Sequence, residues 1–139
     1  MRVIVTNAQR RYPVRTPQVE RLVRCAAKQL KIRAKGTLSV IFLSPQRMRA
    51  VNRKALRHDR VTDVISFRYQ DEPVIGEIFV APSQAYAYAA RHGIPYREEL
   101  ARYVVHGLLH WLGHEDETPR QQAWMSKAED QLLKHCEMT

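Results

Sequence analysis

The chain has 139 residues, enough for one domain with a single core, and 45% of them are hydrophobic. Its formal net charge of +9 and pI near 10.0 favour a polyanionic partner, above all nucleic acid. Neither a disulfide scaffold, nor a secretory signal, nor a membrane span is expected. Cys25 and Cys136 are far apart and outside any CxxC pair, the Met1–Thr6 segment turns polar too soon for a signal, and no apolar run approaches ~20 residues.

Residues 2–6 are β-branched and alternate, which predicts a first strand. Thr16 as cap and Pro17 in the first turn open a helix to about Ile32, with Val19, Leu22, Val23, Ala26, Ala27 and Leu30 at helical spacing. Cys25 falls on its apolar side and is expected to be a small core residue. Arg21, Arg24, Lys28, Lys31, Arg33 and Lys35 cover the outside and end of this unit, as a solvated face or a phosphate contact.

Thr37 to Leu43 is a second predicted strand, and Ser44-Pro45 caps a helix to about Leu56. A charged loop, Arg57-His58-Asp59-Arg60, leads to strands at Thr62–Phe67 and Val74–Val80. Helices follow over Ser83–His92 (stopped by Gly93), Glu98–Leu112 and Thr118–His135. With no internal repeat or linker, the expectation is one α+β domain over 1–139. A mixed sheet of about four strands would pack against helices, with the helix at 98–112 central.

That helix carries the most informative run, His106-Gly107-Leu108-Leu109-His110-Trp111-Leu112-Gly113-His114-Glu115-Asp116. Glu99, Tyr103, His106 and His110 share one stripe of the wheel, opposite Ala101, Val104, Leu108 and Leu112. Two histidines four apart project from the same face and reach one cation. Gly113 is suited to a left-handed turn that returns the chain, bringing Asp116, or alternatively His114, to the same point. Three protein ligands and an open position describe a catalytic rather than a structural zinc site. The spacing is also that of zinc proteases, whose general base follows the first histidine; here that position is Gly107, which favours a metal hydrolase acting on another bond.

The chain resembles the YbeY-type endoribonucleases, bacterial rRNA maturation factors. The resemblance spans roughly residues 36–117 and rests on Asn52, Thr62-Asp63-Val64-Ile65-Ser66-Phe67, Gly76-Glu77-Ile78 and His106-Gly107-x-Leu109-His110-x-x-Gly113. It implies a small α+β fold, one zinc ion per chain in a cleft, and single-strand-directed endoribonuclease activity. It further implies maturation of ribosomal RNA, notably the small-subunit (16S) 3′ end, and a role in ribosome quality control. The partners would be RNA, as ribosomal RNA or ribosomal particles, and the compartment the cytoplasm.

The sequence departs from the family pattern twice. A third histidine is replaced by Asp116, whose carboxylate is also a good zinc ligand. An arginine usual six residues before Thr62 is replaced by Leu56, with Arg57 adjacent. The expected site is therefore His106, His110 and Asp116 as metal ligands, with His106 and Arg57 as catalytic residues. Candidate general bases are Glu115, His114 and His58. Two histidines and a carboxylate suit nickel as well as zinc. Two rivals are a non-catalytic ribosome-assembly protein with zinc as a structural clip, and a zinc peptidase, which Gly107 opposes.

Overall fold

Alternation sets the sheet. In the computed structural model, which describes residues 1–56, 62–71 and 73–136, Leu38, Val40 and Phe42 of strand β2 (Thr37–Phe42) are fully buried on one face, and Ile41 packs on the other. A side chain on every second residue changes face, so each strand feeds two layers. The other strands are β1 (Arg2–Asn7), β3 (Val64–Arg68) and β4 (Val74–Val80), in the order β1-β2-β4-β3. β1, β2 and β4 run parallel; β3 and β4 form an antiparallel pair with Ser66 opposite Ile78.

Five helices complete the described residues: α1 (Thr16–Gln29), α2 (Pro45–Leu56), α3 (Pro82–His92), α4 (Tyr96–Trp111) and α5 (Pro119–His135). The main core joins Leu38, Val40, Phe42, Ile78 and Val80 of the sheet to α1 and to Val104, Val105, Leu108 and Leu109 of α4. A smaller cluster of Leu43, Met48, Ile65 and Ala81 lies on the opposite face, against Ile41, Phe67 and Phe79. Each large apolar side chain so buried contributes roughly 1.5–3 kcal/mol. The expected α+β domain, four-stranded mixed sheet and central helix are all present. No described helix is long and apolar enough to cross a membrane.

Three local expectations are corrected. Thr16 is not the cap of α1: Arg15 takes the extended N-cap conformation and Thr16 is the first helical residue. That helix ends at Gln29, short of Ile32. Lys31 adopts φ 55°, and the amides of Lys31 and Ile32 donate to the carbonyls of Lys28 and Ala27, a left-handed exit turn without glycine. Cys25 is not a free core thiol but is bonded to Cys136, joining α1 to the end of α5. No spacing rule pairs two cysteines so far apart in sequence. By contrast, Ser44 caps α2 through its hydroxyl, which accepts from the Arg47 amide.

Candidate metal centre

α4 must lie close to the sheet because of Gly107. A Cβ at that position would meet Ile78 Cγ2 at 2.5 Å and Val64 Cγ1 at 2.8 Å, and the Gly107 carbonyl accepts a 2.7 Å hydrogen bond from the Ser66 hydroxyl. The direction that holds the protease base is here pressed against β3 and β4. The neighbouring stripe of α4, which carries His106 and His110, is left to face a cleft.

The helix ends in a Schellman turn. Gly113 has φ 102°, its amide donates to the His110 carbonyl, and the His114 amide donates to the Leu109 carbonyl. The turn brings Asp116 back to the histidines, as expected. His106 Nε2 and His110 Nε2 are 2.9 Å apart, and Asp116 Oδ2 lies 3.4 Å and 3.5 Å from them. Ligands at the zinc distances of about 2.0–2.2 Å in a tetrahedron stand roughly 3.3–3.6 Å apart; the two histidine–aspartate separations match this, the two histidines stand a few tenths of an ångström closer, and the three donors are grouped as one small cation requires. Their side chains remain 21%, 30% and 40% exposed, which leaves one side of the group open.

The sequence reading missed Glu129. This α5 residue is buried, and its carboxylate accepts from His106 Nδ1–H at 2.5 Å. That contact assigns the tautomer, with the proton on Nδ1 and the Nε2 lone pair free for a cation. Glu129 also accepts from Arg102 at 3.1 Å, and Arg102 reaches Asp130 at 2.7 Å. Burial lowers the His106 pKa, but the Glu129 hydrogen bond and the charges of Glu129, Asp63 and Asp116 outweigh it, so the net shift is upward. The signal was a carboxylate in the buried stripe of α5, between Met125 and Leu132.

Other expectations fare differently. His114 turns away and packs its ring on Trp124 at 4.2 Å, so it is no third ligand. Glu115 is exposed in the loop. Arg57 and His58 lie outside the described residues. Arg21, Arg24, Lys28, Lys31, Arg33 and Lys35 are all exposed, Arg24 paired with Glu20 along the helix.

A mixed α+β sheet with two helical histidines and a returning carboxylate defines a class: a small single-domain protein built around a candidate metal centre of the open, hydrolytic kind. Comparison with known proteins narrows it. The family model for endoribonuclease YbeY matches residues 5–137. Among relatives, endoribonuclease YbeY of Chlorobaculum parvum is 35% identical over 99 residues, 70% of each chain. That of Chlorobaculum tepidum is 37% identical over 101 residues, 72% of this chain and 74% of the relative. The chain belongs to the endoribonuclease YbeY family, a family of hydrolytic nucleases. The fold matches the solution structure of TM1509 from Thermotoga maritima with a TM-score of 0.63 at 24% identity, over 95% of this chain and 89% of that one.

Proposed function

We propose that the protein is a zinc-dependent, single-strand-directed endoribonuclease that acts on ribosomal RNA, including the 3′ end of the small-subunit RNA, and serves ribosome quality control. The observation that carries this reading is the convergence of His106, His110 and Asp116 in a protein of this family. In the proposal these residues hold one zinc ion per chain. A bound zinc supplies a Lewis acid for the phosphoryl oxygen and lowers the pKa of a water to about 7. Glu129 keeps His106 in the ligating tautomer. Arg57 is assigned to the charge that builds on the phosphate. The net charge of +9 attracts the RNA, so binding falls steeply with salt.

The partial exposure of all three ligands favours this reading over a closed structural clip. The packing of Gly107 on the sheet disfavours a peptidase of the usual zinc type. The test is cleavage of an end-labelled ribosomal RNA fragment by the purified protein and by the His106→Ala, His110→Ala variant. Loss of cleavage in the folded variant is expected. Equal cleavage by both would overturn the proposal, and RNA binding without cleavage would favour the assembly-factor reading.

A further inference from the structure

Glu99 is 5% exposed, and among the described residues its carboxylate has no hydrogen-bond partner. Burial pushes its pKa up; Arg102 pulls it down, and Glu129 and Asp63 push it further up. The Arg102 guanidinium is already held by Glu129 and Asp130. The Glu99 carboxylate is not sealed from solvent: among the described residues Ser83 Oγ alone is a fully buried side-chain polar atom without a partner. The carboxylate opens into a cavity of about 290 Å³ that also reaches His106 and Asp116 and is walled by Tyr103, Asp63 and Tyr88. Tyr88 is 38% exposed, with its ring stacked on His92 at 4.0 Å. Among the described residues the acidic groups of this cavity do not converge into a second metal site.

The chemistry of the cavity selects its occupant. Glu99 precedes His106 by seven residues, about 10.5 Å along the helix. Two turns of helix thus set Glu99 to one side of the histidines, in the same cavity, where a nucleotide flanking the one at the centre would lie. Arg102 also lines the cavity but is paired with Glu129 and Asp130, so Asp63 and Glu99 leave its outer part acidic, which disfavours a phosphate there and favours a neutral ring with N–H donors. An aromatic wall stacks on any base face. We propose that this cavity is a nucleobase subsite beside the scissile phosphodiester, with Tyr88 against the face of the base and Glu99 accepting from its edge. Guanine fits best, because its adjacent N1–H and N2–H donors match the two oxygens of one carboxylate. A base enters such a cavity only when it is unpaired, so the subsite also selects single strands. This inference rests on the endoribonuclease reading.

The test uses pentauridylate and its variants with one central guanosine, adenosine or cytidine, and the zinc-loaded full chain. Cleavage beside guanosine with kcat/KM roughly 10-fold above the other oligonucleotides is expected. Glu99→Gln levels that preference, chiefly through KM, and leaves the protein at least as stable. Tyr88→Leu raises KM for every oligonucleotide by roughly 10-fold. A wild type without base preference, or a preference that survives in Glu99→Gln, overturns the subsite. If the wild type cleaves none of them, the endoribonuclease reading fails on these substrates, and fluorescence anisotropy with the same oligonucleotides decides the subsite separately. Tighter binding of the guanosine oligonucleotide that is lost in Glu99→Gln upholds it, and equal binding of all four overturns it.

Discussion

Replacing Glu129 by Gln tests how the centre is held. The change keeps shape and volume but removes the charge facing His106 Nδ1 at 2.5 Å and Arg102 at 3.1 Å. Partners of metal-ligating histidines typically carry 10- to 100-fold in metal affinity, about 1.4–2.7 kcal/mol. Arg102 keeps Asp130 at 2.7 Å and is one-third exposed, so its own loss is screened. The cost to folding is then dominated by one charge-assisted hydrogen bond at a buried carboxylate, about 1.5–3 kcal/mol. Zinc affinity is read by competition with a chromophoric chelator, and stability by urea unfolding of the metal-free protein. The expected result is a zinc Kd weakened by one to two orders of magnitude in a folded protein. A Glu129→Gln variant that binds zinc as tightly as the wild type would refute the claim that this carboxylate orients the ligand.

Four further outcomes follow from the packing. Gly107→Ala should cost about 1–3 kcal/mol in thermal unfolding, since its Cβ overlaps Ile78 and Val64 by more than alanine's helix propensity offsets; an unchanged Tm would mean that α4 is not pressed on the sheet. Lys31→Gly should raise the urea midpoint, because left-handed backbone costs a side-chain residue about 1–2 kcal/mol and glycine's extra entropy returns only part of it; a lowered midpoint would sink this. Reducing Cys25–Cys136, 111 residues apart, should remove roughly 4–5 kcal/mol by the chain-entropy argument, and the Cys25→Ser, Cys136→Ser protein should match the reduced one; identical oxidised and reduced midpoints would contradict it. Finally, the Glu99 carboxyl has a folded pKa above 4.5, so its stabilising contribution is complete below that pH and lost as pH rises through the folded value. Glu99→Gln, which does not titrate, should gain on the wild type in melts as pH climbs from 4.5; a constant gap would refute the sign.

Elements governed by local rules were legible in the sequence. Val74–Val80 falls on its predicted bounds, Gly93 stops α3, and Thr118 opens α5 through a capping box with Gln121. The grouping of His106, His110 and Asp116 was legible too, because two lie a helical turn apart and the third follows a glycine turn. What escaped was set by distance along the chain. Glu129 meets His106 across 23 residues, and Cys25 meets Cys136 across 111. Neither contact leaves a periodic trace. Gly107 was read as a missing base, which stands, and the position of the sheet adds the steric reason for a glycine there. Glu99 stood on the correct stripe, but its lack of a hydrogen-bond partner among the described residues depends on Arg102 bonding Glu129 and Asp130 instead.

The order of the chain gives the α5 contact a consequence in time. Synthesis runs from the N-terminus at roughly 5–20 residues per second, so His106, His110 and Asp116 are all made before Glu129. A growing chain therefore owns its donor atoms before it owns the group that aims them. Docking of α5 brings Glu129 to His106, and Cys136 fastens that helix to α1, which is made earlier than either.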